Sequence, residues 1–274
     1  MLAPTLVLGA CIFPSLDGLS GGDASNDAPV VDVANDSDSG APKTYVEEVQ
    51  ADSPYAWWRL GESDPSQAAR DEEPSANNGA YRVPGVTLGL QGAIASDPNT
   101  AMALDGLNGA MFLPGTLFDF GGSPAFAIEI WVSPGVAPPA DASDPLRRIV
   151  SHRTLSPYYG WFLGIDASQR VLFTRWQNSA TVASITSLPI PQAQWTHVVV
   201  SADGSNLTLF IDGLQVANGL EATITDTPAT NISFGATSNF TVEWFNGGLD
   251  EPAIYTHALA PARVLAHYHA GSGK

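Results

Sequence analysis

The stretch Trp195-Thr196-His197-Val198-Val199-Val200-Ser201, running into Asp203-Gly204 and followed by Leu207-Thr208-Leu209-Phe210-Ile211 and Asp212-Gly213, decides the fold. Each run is rich in β-branched or aromatic residues, and each ends in an Asp-Gly pair, whose tolerance of left-handed backbone closes tight hairpins. Two such units in succession predict an antiparallel meander. Upstream, Ala125-Phe126-Ala127-Ile128-Glu129-Ile130-Trp131-Val132 is a β-rich run ended by Ser133-Pro134. Arg147 to His152, Tyr159 to Asp166 and Arg170 to Gln177 read as further strands, and Asn231 to Gly235 and Gly248 to Tyr255 close the set. The text reads as strand-like from Tyr45 onward, and only its end reads helical. There Pro261 suits a first turn, Val264, Leu265 and Tyr268 recur at helical spacing, and Gly271 suits the stop. The expected class is all-β, a sandwich of many short strands with a short C-terminal helix.

Composition agrees. Of 274 residues 44% are hydrophobic and only 14% charged, with 26 glycines and 21 prolines, which suits short strands joined by turns. The formal net charge of −17 excludes nucleic acid as a partner, because phosphate binding needs clustered Lys and Arg. It equally opposes electrostatic docking on an anionic membrane.

The single cysteine, Cys11, ends the apolar run Leu2 to Ala10, which is far too short to span a bilayer. Leu8-Gly9-Ala10-Cys11 resembles the lipobox of bacterial lipoproteins, in which the cysteine is lipidated; no Lys or Arg precedes the run, a departure from that pattern. Pro14 to Pro42 holds six aspartates, no Lys or Arg and no aromatic residue. Such a segment buries too little apolar surface to offset its ordering entropy. The expected organisation is a signal segment over 1–11, a disordered acidic tether over 12–42 and a folded domain over 43–274, lipid-anchored at a bacterial cell envelope, with the anchor as the only link to the membrane. Gly18-Leu19-Ser20-Gly21-Gly22 fits a nucleophile-elbow pattern but lies in the tether, with no strand before it or helix after it. Gly271-Ser272-Gly273-Lys274 lacks the first glycine of a phosphate loop and the hydroxyl residue after the lysine.

Tyr55-Ala56-Trp57-Trp58-Arg59-Leu60-Gly61-Glu62 with Asp71 and Gly79, Ala103-Leu104-Asp105-Gly106, and Ile128-Glu129-Ile130-Trp131-Val132 stand in an order that resembles the bacterial laminin-G-like jelly-roll family. Trp195-Thr196-His197-Val198-Val199, Phe210-Ile211-Asp212-Gly213 and Gly248-Leu249-Asp250-Glu251-Pro252-Ala253-Ile254-Tyr255 continue the resemblance over residues 45–271. It implies a two-sheet antiparallel jelly-roll sandwich within the concanavalin-A-like lectin and glucanase superfamily.

A fold does not assign a function, so the sites are argued separately. Retaining glycosidases need two carboxylates about 5 Å apart. The glucanase branch sets them on one strand face as E-x-D-x-x-E, whereas this chain offers Glu129 alone, with Trp131 at the second position. No enzymatic activity is therefore expected. His197 reads as structural, and His267 and His269, two apart on a helix, point in different directions. The resemblance implies a structural calcium ion tying the start of the domain to its end, with Asp71, Asp250 and Glu62 as ligands; the alternative is that these carboxylates bind turn amides. Asp105 and Asp212 precede glycines and read as turn residues. For ligand binding, Trp176 and Tyr158 lead, with Tyr159, Trp244 and Arg175 beside them, because sugars stack apolar C–H faces on aromatic rings. The expected role is a surface-anchored binding module for a glycan, or else a structural or protein-recognition module with an envelope or extracellular protein as partner. A divergent glycoside hydrolase is the third reading.

Overall fold

The computed structural model describes residues 41–274, apart from 115–116, 119, 136–145, 155 and 225–229. Cys11 and the expected tether up to residue 40 lie outside the described residues. In chain order the elements begin with α1 (Tyr45–Ala51), β1 (Ala56–Trp57), β2 (Ala68–Ala69), β3 (Gly79–Arg82), β4 (Val86–Gln91), β5 (Thr100–Asp105), β6 (Ala110–Leu113) and β7 (Ala125–Pro134). They continue with β8 (Arg147–Arg153), β9 (Gly160–Ile165), β10 (Arg170–Gln177), β11 (Ala180–Pro189), β12 (Thr196–Asp203) and β13 (Asn206–Ile211). Last come β14 (Leu214–Leu220), β15 (Ile232–Phe234), β16 (Asn246–Tyr255) and α2 (Pro261–Ser272).

The predicted meander forms. Asp212 and Gly213, between β13 and β14, have φ of 50° and 77°, the two positive values a type I′ turn requires. Among the described residues the strands make two eight-stranded antiparallel sheets. The first runs β14-β13-β12-β7-β16-β5-β4, with β1 on β16; the second runs β11-β10-β9-β8-β15-β6-β3-β2. The chain crosses repeatedly from one to the other, which makes the two-sheet jelly-roll sandwich.

Alternation along the strands builds two layers of core. Ile128 and Ile130 of β7, with Val198 and Val200 of β12, face Trp161, Phe173 and Phe234 of the second sheet. Between them, Trp131 and Val199 point to the opposite side, where they meet Tyr45 and Val49 of α1 and Val264 of α2. The outer face of the first sheet is therefore covered by the two helices.

Helix α1 corrects the strand-like reading that began at Tyr45. Thr44 and Glu47 form a capping box: the Glu47 N–H donates to the Thr44 hydroxyl at 3.3 Å, and the Thr44 N–H donates to the Glu47 carboxylate at 2.7 Å. Tyr45 and Val49, four residues apart, then share the face that is buried on the sheet. Seven residues are too few for a helix to hold in water alone, so packing against the sheet stabilises it. Helix α2 starts at Pro261 as expected and stops at Gly273, φ 68°, rather than Gly271. Gly271 serves packing instead, since a Cβ there would come within 2.6 Å of the Trp131 ring.

Candidate functional site

Among the described residues no helix lies over the outer face of the second sheet, and the register shows which side chains lie there. Phe112 of β6 pairs with Ser233 of β15, Ser233 with Ser151 of β8, Ser151 with Phe162 of β9, Phe162 with Thr174 of β10, and Thr174 with Ser184 of β11. Their strand neighbours Met111, Phe234, Val150, Leu163 and Phe173 belong to the core. This row therefore crosses the outer side of the sheet, where Ser151, Ser233, Phe162 and Thr174 are nonetheless buried, Phe162 beneath Arg148 and Ser151 against Ser238.

Rings and guanidinium groups stand at both ends. On one side of the row Gly160 pairs with both Arg153 and Trp176, so no side chain separates the guanidinium from the indole. Arg153 lies 4.4 Å from the Tyr158 ring, 5.6 Å from Trp176 and 5.7 Å from Phe162. Tyr158 meets Trp176 edge-on, with centroids 5.4 Å apart and planes at 82°. The backbone fixes this corner. Asn178 and Ser179, with φ of 48° and 64°, make the tight turn from β10 to β11. The Ser179 N–H donates to the Tyr158 carbonyl, and the Tyr158 N–H donates to the Ser179 hydroxyl, both at 3.0 Å. On the other side Arg82 lies 5.1 Å from the Trp244 ring and 5.6 Å from Phe240, which packs on Phe112. Arg148 stacks on Phe162 and pairs with Glu243.

The face thus brings together Tyr158, Trp176 and Trp244 of the expected ligand residues, each half-buried. Tyr159, also half-buried, adjoins Tyr158, with its N–H donating to the Thr154 hydroxyl. Arg175 is a correction. One residue from Trp176 on a strand, it points to the other side, where it is fully buried, pairs with Glu221 at 2.6 Å and donates to the Phe120 carbonyl. Sequence reasoning missed Arg153, Arg82, Phe162 and Phe240. Arg148 and Arg153 are an odd number of residues apart, which strict alternation would place on opposite faces. A bulge between Arg148 and Val150 puts them on the same face, and no residue type in the sequence announces it.

The carboxylates tell a different story. Glu129 lies on the outer face of the first sheet, fully buried under the helices. It accepts from the hydroxyls of Tyr45 at 3.0 Å and Tyr255 at 2.8 Å, from His197 Nε2 at 2.8 Å and from His267 Nδ1 at 2.9 Å. Burial alone would push its carboxyl up, but the His267 charge and the hydrogen bonds from both histidines hold it well below the usual carboxylate range. Burial opposes protonation of His267, yet Glu129 and Asp52 outweigh it and raise that pKa. This network joins β7, β12, β16 and both helices, and it presents no open carboxylate pair for hydrolysis.

The carboxylates expected to hold calcium are engaged by donors of the chain itself. Asp71 spends both oxygens on the loop, accepting from the N–H groups of Trp57, Glu73 and Asn77 and from the Ser75 hydroxyl. Glu62 accepts from the Arg70 N–H and the Tyr81 hydroxyl, and Asp250 from the N–H groups of Ala93 and Glu251. Among the described residues no three His, Cys, Asp or Glu side chains are grouped to hold a metal. The start and end of the domain are instead joined by Arg59, whose guanidinium bridges Glu251 at 2.9 Å and Asp97 at 2.7 Å. Glu251 sits at φ 51°, where the pairing of β16 with β7 is broken between Asp250 and Ala253. Burial pushes its carboxyl up to about 7 against the pull of Arg59 and Trp57, and burial with the Glu251 charge pushes Asp250 well above its ordinary value.

Comparison with known proteins agrees with this architecture. Domain 4 of AbnA, an extracellular arabinanase from Geobacillus stearothermophilus, solved in complex with arabinotriose, superposes with a TM-score of 0.57 at 17% identity, over 78% of this chain and 98% of that domain. The binding domain of Paraclostridial Mosquitocidal Protein 1 gives 0.61 at 15% identity, over 78% of this chain and 52% of that one. The binding domain of botulinum neurotoxin DC, in complex with SialylT, gives 0.54 at 15% identity, over 80% and 51%. The chain spans about half the length of those toxin domains. No curated protein sequence matches it. The family description that matches residues 105–265 is that of the concanavalin A-like lectin/glucanases superfamily, laminin G type. More than half the chain carries that match, and the protein belongs to the laminin-G-like family of this superfamily.

Proposed function

We propose that the domain is a non-catalytic saccharide-binding module whose ligand lies on the outer face of the second sheet, around Tyr158 and Trp176. The observation that carries the reading is this half-exposed edge-to-face pair, set over Gly160 and fixed by the β10–β11 turn. Aromatic rings held rigid by backbone offer contact area at little entropic cost. The arabinanase domain bound to arabinotriose and the toxin domain bound to SialylT support a saccharide as ligand, as neighbours in fold alone. Hydrolysis is disfavoured because Glu129 is enclosed by four side-chain partners and two helices. A protein partner is the second reading, favoured by one observation. The sheet-edge strands β11 and β14 carry Leu188 and Leu220, each 80% exposed.

The test is binding of the full chain to a panel of neutral and acidic polysaccharides, followed by tryptophan fluorescence and calorimetry. Binding weakened at least tenfold by Trp176→Ala supports the site. A folded protein that binds no saccharide sinks the reading in favour of a protein partner at the β11–β14 edge. We further propose that Cys11 anchors the chain to a bacterial envelope by a lipid. In expressing bacteria, detergent-phase partitioning that persists in Cys11→Ser would refute this.

A further inference from the structure

Among the described residues no carboxylate pairs with Arg153. The chain has 11 Lys and Arg against 28 Asp and Glu, and its other deeply placed guanidinium groups mostly sit on carboxylates. Arg59 holds Asp97 and Glu251, Arg148 holds Glu243, Arg175 holds Glu221, and Arg263 holds Glu48 and Asp52. Arg153 is only 9% exposed, and among the described residues no carboxylate pairs with its guanidinium, whose nitrogens keep contact with solvent. Its neighbours are the rings of Tyr158, Trp176 and Phe162.

Rings attract a guanidinium through its face, but they accept none of the five N–H groups that radiate in its plane. Those in-plane N–H groups are left to water, which the oxygens of an anionic ligand would replace. In a protein so rich in acids, a carboxylate could have stood here, as it does at the four arginines just named, or neutral acceptors, as at the buried Arg147, which donates to the Gly135 carbonyl and Gln169 Oε1. The neighbouring Trp176 indole N–H, which can only donate, is buried and lacks an acceptor. A guanidinium with no carboxylate partner and a buried indole N–H with no acceptor therefore adjoin among these rings.

We propose that the saccharide bound here is acidic. Its carboxylate or sulfate oxygens pair with the in-plane fork of Arg153 while its ring stacks on Trp176 or Tyr158. Both groups present planar pairs of oxygens that match a guanidinium, which a lysine would meet only as a point charge. The inference rests on the saccharide reading above and adds the chemical class of the ligand. The net charge of −17 repels an acidic polymer at long range. At physiological ionic strength that repulsion is screened beyond about 8 Å, whereas a buried contact with Arg153 is screened much less.

The experiment is calorimetry of the full chain at physiological salt against polygalacturonate, the same polymer after carboxyl reduction, dextran sulfate and dextran. The expected result is at least tenfold tighter binding to an acidic polymer than to its uncharged counterpart. The preferred member of the two acidic polymers names the group. Arg153→Met is expected to remove that preference, and Arg153→Lys to restore only part of it. Equal binding of charged and uncharged polymers, lost in Trp176→Ala, overturns the acidic-ligand inference and leaves the saccharide reading standing. An acidic preference that survives Arg153→Met also overturns it. Binding to none of the four, and to nothing in the wider panel, overturns both. Should Arg153→Met fail to fold, the wild-type comparison of each polymer with its uncharged counterpart decides alone.

Discussion

The two sheets turn very different outer faces away from their shared core. The face of the first sheet is sealed: Trp131, Val199 and Tyr255 lie beneath α1 and α2, and its charge is closed on itself through Glu129, His197, His267 and Asp52. The face of the second sheet carries no helix among the described residues and leaves Tyr158, Trp176 and Trp244 partly exposed, with Arg153 stacked on rings and no carboxylate beside it. Both faces are rich in aromatics, so aromatic content does not separate a packed surface from a binding surface. What separates them is whether the charged group among the rings has found a counter-charge. The sealed face gives its carboxylate four donors, whereas the face of the second sheet leaves the Arg153 guanidinium without a carboxylate among the described residues.

The comparison is broken most sharply at Glu129. Glu129→Ala strands two tyrosine hydroxyls and two histidines in the interior, and urea denaturation should show a loss of about 3–5 kcal/mol. A loss below about 1 kcal/mol would mean the helices are held by apolar packing alone.

The next effect is on pH. The Glu251 carboxyl titrates near 4.5 when unfolded and is raised to about 7 in the fold. The folded chain therefore holds the proton more tightly, so stability is greatest at low pH and falls as the pH rises through 7, by about 3 kcal/mol at most. Asp250 and His267, both raised, act in the same direction; the His267 contribution is complete below its unfolded value of 6.5 and is lost above its folded one. Glu129, held low, acts oppositely and withdraws stability below about 4.5. Urea midpoints between pH 4 and pH 8 should accordingly peak in mild acid, and Glu251→Gln should flatten the decline on the alkaline side. A profile that rises steadily to pH 8 would contradict the buried state of this cluster.

The smallest stability effect belongs to the face of the second sheet. Trp176→Ala should change folding stability by about 1 kcal/mol while weakening saccharide binding at least tenfold, about 1.4 kcal/mol. A thermal shift as large as that of Glu129→Ala, with binding intact, would make the two faces equivalent and remove the reason for placing a ligand on either.

The residue order alone determined a good deal. Period-two patterning between Asp-Gly pairs specified strands and hairpins, because alternation and left-handed turn preference are local properties of the chain. The hallmark runs from Tyr55 to Tyr255 carried the family, and Trp176, Tyr158 and Trp244 were legible as surface aromatics because they stand outside those runs. Local reading failed wherever a long-range partner decides. Helix α1 exists because Tyr45 and Val49 find the first sheet, and Arg175 turns inward because Glu221, distant in sequence, waits there. Arg153 joins Arg148 on one face through a single bulge in β8. Asp71, Glu62 and Asp250 are acidic residues in turns on either reading. Only the folded chain shows their oxygens occupied by amides and hydroxyls, with Arg59 as the cation between the domain's two ends. A side chain's type is written in the sequence, but whether its charge and hydrogen bonds are satisfied depends on groups brought to it from elsewhere in the chain, and only the tertiary structure brings them.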